Sequence, residues 1–120
     1  REHAQGVIFL TGHARHGAEQ PDWTAIAATA REARLTLVIY MGVSSATRIQ
    51  RDLLVALPAS TPVAIVQKAS LPAQRHAVTS LGELAATIER ESLASPSVIV
   101  VGDVVRGVAA AAAHGRLRAV

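Results

Sequence analysis

LTLVIYMGVSS, residues Leu35 to Ser45, is the stretch that decides the fold of this chain. A run of β-favouring residues, Leu37 to Tyr40, ends at Met41 and Gly42, and the two serines that follow open a helical pattern. This pattern predicts a strand that passes directly into a helix. Ligands of open α/β sheets bind at turns of this kind. We therefore expect a binding site near Met41, and the rest of the chain must indicate its ligand.

Composition limits the classes of protein to which the chain can belong. Its 120 residues are 50% hydrophobic with one Phe, one Trp and one Tyr, which predicts a single domain with an aliphatic core. No apolar run approaches the roughly 20 residues that cross a bilayer. The lack of cysteine excludes disulfides and fits a cytoplasmic origin. The net charge of +3 comes from scattered arginines, a pattern that does not favour nucleic-acid binding.

Apolar segments alternate along the chain in the patterns of strands and helices. Five strands are predicted, at residues 6–11, 37–40, 63–66, 76–79 and 98–101, with Val104 and Val105 extending the last one. The alanine-rich tail that follows is expected to be helical. Such alternation predicts an α/β fold with a mixed, mainly parallel sheet and helices on both faces.

Three helices are predicted between the strands, and each has a start or stop signal. Asp22 is the natural N-cap of the first helix, and Pro58 ends the second. Ser80 and Glu83 form the S-x-x-E pattern of a capping box, which predicts that the third helix starts there.

Three loops that follow predicted strands carry the candidate binding residues: Thr11–His13, Met41–Ser44 and Gln67–Ser70. If these strands run parallel, their carboxyl ends lie at one edge of the sheet, here called the rim, and the loops meet there. Met41 can offer an apolar side chain to a flat ligand, and Gly42 allows close approach of the backbone. The alternative is that Met41 belongs to the core and Gly42 is a turn residue.

Residues 42–46, GVSSA, resemble the G-x-S-x-G turn of serine hydrolases, with alanine in place of the second glycine. Asp103 and His114 follow Ser44 in the hydrolase order. A serine hydrolase fragment is therefore one alternative. Ser44 and Ser45 are explained more simply as caps of the following helix.

Histidines and arginines supply further candidates. His13 and His16 share one loop, but two imidazoles without a carboxylate or thiol are an incomplete set for zinc, so no metal site is predicted. Arg15, Arg75 and Arg106 would match the carboxylates of a ligand if they reached the same site. Solvated surface arginine is the alternative interpretation of each.

Several motifs, spread over nearly the whole chain, resemble in their order the C-terminal half of the uroporphyrinogen-III C-methyltransferases, a branch of the tetrapyrrole methylases. They are TGH at 11–13, DW at 22–23, TLVIYMG at 36–42, TPVAIVQKAS at 61–70, Gln74 with Arg75, and SPSVIVVGDVV at 95–105. Enzymes of this family hold S-adenosylmethionine between two α/β lobes. The resemblance implies that residues 1–120 form one α/β domain, an excised C-terminal lobe whose N-terminal lobe is absent from the sequence.

The resemblance also implies roles for individual residues. Met41 is similar to the family residue that contacts S-adenosylmethionine, and Gly42 lies beside it. Ala69 falls where many members have the glycine of an N-G-T triplet. These three are expected to bind the cofactor, and His13 is expected to contact the tetrapyrrole substrate. The family's glycine-rich loop and acid-base residues belong to the missing lobe, so no catalytic residue is expected here.

The implied reaction is transfer of methyl groups from S-adenosylmethionine to ring carbons of uroporphyrinogen III, which gives precorrin-2 on the way to siroheme or cobalamin. The expected parent is a cytoplasmic enzyme without nucleic-acid or membrane partners, and homodimerisation is a family expectation. The isolated lobe is expected to be inactive. A non-catalytic binding or dimerisation lobe is the alternative from another class.

Overall fold

Strands and helices alternate along the chain, as the apolar pattern predicts. The computed structural model describes residues 6–12, 21–67, 75–94 and 96–107. Its elements are β1 Gly6–Thr11, α1 Trp23–Ala33, β2 Leu35–Tyr40, α2 Ala46–Leu53, β3 Pro62–Gln67, β4 Arg75–Ser80, α3 Leu84–Arg90 and β5 Ser97–Val101. Short 3-10 turns, Val43–Ser45 and Leu81–Glu83, lead into α2 and α3.

The five strands form one sheet in the order β1-β2-β5-β3-β4. The prediction of a mixed α/β sheet is confirmed, but the expectation of a mainly parallel one is wrong. Only β1 and β2 pair in parallel, whereas the other three neighbouring pairs are antiparallel. Two of these pairs arise because β5, the last strand, inserts between β2 and β3 and runs opposite to both, and the third arises because β4 returns beside β3 in the opposite direction. Strand order is set by tertiary packing, which strand–helix alternation does not reveal.

The apolar core lies between one face of the sheet and the three helices. Alternate residues of the strands point into it because successive side chains of a strand face opposite sides. The largest fully buried core side chains are Trp23, Leu37, Ile39, Ile49, Leu53, Ile65, Leu81, Leu84 and Ile99. Each buried Leu or Ile contributes about 1.5–3 kcal/mol relative to an exposed position.

The other face of the sheet, here called the open face, carries no helix in the described ranges. Val7, Phe9, Tyr40 and Val78 lie on it and are 43–66% exposed. The expectation of helices on both faces therefore fails for this part of the chain. Right-handed crossovers explain the result: β1 to β2 and β2 to β3 both move in the same direction across the sheet, so α1 and α2 cover the same side.

Asp22 caps α1, which confirms the predicted helix start. Its carboxylate accepts hydrogen bonds from the Thr24 hydroxyl at 2.8 Å and from the backbone N–H of Ala25 at 3.1 Å. Both bonds favour the charged carboxylate, the Thr24 bond most, and they lower the pKa of Asp22 below its usual value.

The predicted capping box of α3 is wrong. The 3-10 turn occupies Leu81–Glu83, and the Ser80 side chain makes no capping hydrogen bond. The cap comes instead from α2, where Gln50 Oε1 accepts the backbone N–H of Ala85 at 2.7 Å. A side chain distant in sequence thus satisfies one of the donors that a helix start leaves unpaired.

Three smaller expectations also differ from the structure. Helix α2 ends at Leu53, before Pro58, and Ser45 stands at its N-cap position without a side-chain hydrogen bond. Val104 and Val105 lie in a helical turn and do not extend β5. Gly102, with a φ of +146°, ends the strand because that conformation is outside the β region. The alanine-rich tail lies outside the described residues.

Candidate functional site

The rim is formed by the carboxyl ends of β1, β2 and β3. Register places Thr11 beside Tyr40, and Gln67 between Ser97 and Arg75. Because β1, β2 and β3 point the same way despite the intervening β5, the chain leaves all three strands at the same edge. The described parts of the three predicted loops therefore lie where the sequence places them.

Met41 protrudes from the rim on an unusual backbone. Its φ of 56° lies in the left-handed region, where a residue with a side chain costs about 1–2 kcal/mol. The Met41 N–H donates to the carbonyl of Ser97 at 3.2 Å, which ties the turn to β5. Met41 is 48% exposed, so the alternative of a core methionine is wrong. Residues strained in this way cluster at ligand sites.

The backbone segments that follow β1 and β2 are in direct contact at Gly12 and Gly42. A Cβ on Gly12 would lie 2.6 Å from the Cα of Gly42, and one on Gly42 would lie 2.9 Å from Cγ2 of Ile39. The N–H of Gly12 also donates to the carbonyl of Tyr40 at 2.7 Å. Gly42 is buried with a φ of −96°, so close packing explains this glycine without any special backbone conformation.

An aromatic pair lies on the open face next to the rim. The rings of Phe9 and Tyr40 stack with centroids 6.2 Å apart and planes 19° from parallel. Both side chains are exposed, at 66% and 43%, and Tyr40 directly precedes Met41. Three apolar side chains on adjacent strand ends thus form an exposed surface beside the candidate site, which the sequence reasoning missed because it assumed a covered face.

The structure separates the residues that the sequence grouped for carboxylate binding. Arg75 lies at the rim, and its Nη2 is 3.7 Å from Oε1 of Glu91. Arg106 follows β5, which runs opposite to β1, β2 and β3, so it lies at the other edge of the sheet. Four residues that the sequence singled out lie outside the described residues: His13, Arg15, His16 and Ala69.

The serine hydrolase alternative is wrong. Ser44 follows β2 at the rim, whereas Asp103 follows the antiparallel β5 at the opposite edge. Asp103 Oδ1 accepts a hydrogen bond from Arg106 Nη1 at 3.0 Å. A serine and an aspartate at opposite ends of a sheet cannot orient one histidine between them. His114 lies outside the described residues.

The described part of the chain contains neither a metal-binding cluster nor a membrane-spanning helix. Within residues 6–12, 21–67, 75–94 and 96–107, no three His, Cys, Asp or Glu side chains lie close enough together to hold a metal ion. None of the helices described there is long and apolar enough to span a bilayer.

Comparison with known proteins identifies the family of this chain. A sequence profile of the tetrapyrrole (corrin/porphyrin) methylases matches residues 2–85. The chain belongs to the tetrapyrrole methylase family. Its curated relatives include the siroheme synthases of Azotobacter vinelandii, 42% identical over 107 residues, and Pseudoalteromonas translucida, 40% identical over 105 residues. These matches cover 88% and 87% of this chain but 22% and 21% of the relatives, so the chain spans about a fifth of their length.

Solved tetrapyrrole methylases share the fold of this chain. Uroporphyrin-III C-methyl transferase from Thermus thermophilus, complexed with S-adenyl homocysteine, matches with a TM-score of 0.72 and 30% identity over 88% of this chain and 45% of that one. A cobalt precorrin-4 methyltransferase matches with a TM-score of 0.71 at 17% identity, which shows the fold alone. A uroporphyrin-III C-methyl transferase and a cobalt precorrin-4 methyltransferase thus both contain this arrangement of strands and helices.

Proposed function

We propose that this chain is the C-terminal lobe of an S-adenosylmethionine-dependent methyltransferase that converts uroporphyrinogen III to precorrin-2. The observation that carries the proposal is Met41, a half-exposed apolar side chain on a left-handed backbone at the rim of a tetrapyrrole methylase sheet. The similarity to a methyltransferase solved with S-adenyl homocysteine supports the choice of cofactor.

The residues of the rim fit a cofactor that has both an apolar surface and polar edges. S-adenosylmethionine supplies a methyl group on a sulfonium, which a nucleophilic ring carbon can accept by displacement. The protein's task in such a reaction is alignment of the two reactants in a cleft from which water is excluded. Met41 provides apolar contact, and the contact between Gly12 and Gly42 fixes the backbone that follows it.

The remaining assignments follow from the family resemblance. Ala69 contacts the cofactor through its backbone, and His13 contacts the tetrapyrrole. Gly42 has no side chain, so it contributes to cofactor binding through its backbone groups alone. A cytoplasmic location, homodimerisation and the absence of a nucleic-acid partner remain predictions.

Methyl transfer by the full-length parent tests the proposal. Met41→Trp should lower kcat/KM on the order of 100-fold, because a bulkier side chain displaces the cofactor and a misplacement of about 1 Å can cost this much. Val55→Trp is the matched control, since Val55 is 71% exposed in the turn after α2, away from the rim. Equal activity of the two variants would disprove the role of Met41.

The choice of acceptor needs a second measurement with the same parent. Transfer of labelled methyl groups to uroporphyrinogen III should exceed transfer to a tetrapyrrole that already carries two ring methyl groups. A preference for the methylated acceptor would place the parent at a later methylation step. No transfer to either acceptor would leave the non-catalytic lobe as the better interpretation.

A further inference from the structure

A concave site lies at the edge of the sheet opposite the rim. It is a cavity of about 210 Å³ between the end of α1, the turn after α2 and the turn after β5. Three arginines line it, Arg31, Arg34 and Arg106, and Asp103 is the only acidic side chain among the described residues of the lining. We call this cavity the arginine pocket. A strand of five to six residues separates it from the rim, a distance of roughly 17 Å.

Two of the guanidinium groups form hydrogen bonds within the chain. Arg31 Nη1 donates to the carbonyl of Ala56 at 2.9 Å, and Arg106 Nη1 donates to Asp103 Oδ1 at 3.0 Å. Each bond uses one of the five N–H donors of an arginine, which leaves donors on both groups for a ligand.

The charge and lining of the arginine pocket indicate the chemistry of its ligand. Three arginines and one aspartate give a formal charge of +2. The remaining lining combines the hydroxyl-bearing Ser60 and Thr61 with an apolar part that includes Leu35, Leu57 and Pro58. Guanidinium matches carboxylate in a bidentate geometry, and the apolar part favours an anion with a carbon skeleton over a fully hydrated inorganic ion.

We propose that the arginine pocket binds a small organic dicarboxylate, at a site separate from the methyl donor and its acceptor. This proposal does not depend on the reaction at the rim, because the two sites lie at opposite edges of the sheet. It assigns a role to Arg106, which the sequence grouped with Arg15 and Arg75 for the carboxylates of a ligand and which the fold places at the other edge of the sheet from Arg75.

Isophthalate, a benzene ring with two carboxylates, is the probe for the 120-residue chain, with backbone amide NMR shifts as the readout. We expect saturable shifts confined to residues 31–35, 57–61 and 102–106. Isophthalamide has the same ring without charge and should cause none. Inorganic phosphate should bind at least about tenfold more weakly, because it makes no apolar contact.

Paired substitutions distinguish the arginine pocket from general attraction to a basic protein. Arg31→Gln with Arg106→Gln should weaken isophthalate binding at least about tenfold, since each removes a charge-assisted hydrogen bond. Arg51→Gln with Arg90→Gln removes the same charge from exposed positions outside the pocket and should leave the affinity within about twofold. If the first pair fails to fold, Ser60→Asp adds a carboxylate to the lining and should also weaken binding.

Three results would overturn the proposal. Shifts that lie outside the pocket or respond equally to both pairs of substitutions would mean that binding is non-specific. Isophthalamide binding as tightly as isophthalate would exclude a role for the guanidinium groups. Phosphate binding as tightly as isophthalate would exclude an organic dicarboxylate as the preferred class.

Discussion

At the scale of single residues, Gly12 is the described glycine that leaves the least room for a side chain. An added Cβ would meet backbone atoms, Cα of Gly42 at 2.6 Å and its N at 3.2 Å, which cannot turn aside as the end of a side chain can. We expect Gly12→Ala to lower the free energy of unfolding by about 1–3 kcal/mol, the usual cost of overpacking. Urea denaturation of the chain measures the change.

Gly107→Ala is the matched control for that measurement. A Cβ at Gly107 would have no other atom within 4 Å, so its effect should stay within about 0.5 kcal/mol. Equal effects of the two substitutions would show that the ends of β1 and β2 do not pack as closely as these distances indicate.

The identity of the site residues was partly predictable at this scale. The sequence placed Met41 and Gly42 at the rim because a strand followed by glycine and a helical pattern indicates a ligand-binding turn. It could not predict the left-handed φ of Met41 or the contact of Gly42 with Gly12. Both depend on the neighbouring strand ends, since Met41 bonds to Ser97 on β5 and Gly12 directly follows β1.

At the scale of elements, the starts of helices α1 and α3 are capped in different ways. Asp22 caps α1 with a carboxylate whose pKa is lowered by the hydrogen bonds from Thr24 and Ala25. A lowered folded-state pKa means that the stabilisation is present above the ordinary pKa of 3.8 and is lost as the pH falls through the lowered folded value. Asp22→Asn keeps a capping oxygen without a titrating group.

The difference in unfolding free energy between wild type and Asp22→Asn should therefore be constant from neutral pH down to about pH 3.8. Below that pH, the wild type should lose stability relative to Asp22→Asn. Comparing the two proteins at each pH removes the contribution of all other acidic groups. A difference that does not change on acidification would mean that the carboxylate is not hydrogen-bonded in the folded state.

Helix α3 gives the second prediction at this scale. Gln50 accepts the N–H of Ala85 at 2.7 Å and donates to the carbonyl of Gly82 at 3.2 Å, so it joins α2 to the start of α3. Gln50→Ala should destabilise the chain by about 1–3 kcal/mol, because it leaves partly buried backbone groups unpaired. Thermal or urea unfolding measures this change.

Ser80→Ala tests the alternative that sequence reasoning favoured. Since Ser80 makes no side-chain capping bond, its substitution should change stability by no more than about 0.5 kcal/mol. A cost for Ser80→Ala equal to that of Gln50→Ala would mean that the capping box forms after all. The S-x-x-E pattern is local, whereas the acceptor that α3 uses lies 35 residues away, so a local rule could not find it.

At the scale of the whole molecule, the sequence predicted the direction of β1, β2 and β3 but not the position of β5. The rim was nevertheless located correctly, because strands that point the same way end at the same edge even when an antiparallel strand lies between them. The open face was not predicted, since the strands β2, β3 and β5 read as apolar runs typical of sheets covered on both sides.

The length of the chain relative to its family leads to the last prediction. It covers 45% of the length of a solved relative, and in the proposed function the cofactor contacts a second lobe as well as this one. We expect calorimetry to detect S-adenosylmethionine binding to the full-length parent. Binding to the 120-residue chain should be at least about 100-fold weaker, or absent, because binding energy concentrates where a ligand is enclosed on both sides.

Circular dichroism would establish that the chain is folded during the measurement. Equal affinity of chain and parent would show that Met41 and its neighbours on this lobe are sufficient to hold the cofactor. If the parent binds the cofactor and Met41→Trp leaves that binding unchanged, the cofactor would be assigned to the other lobe.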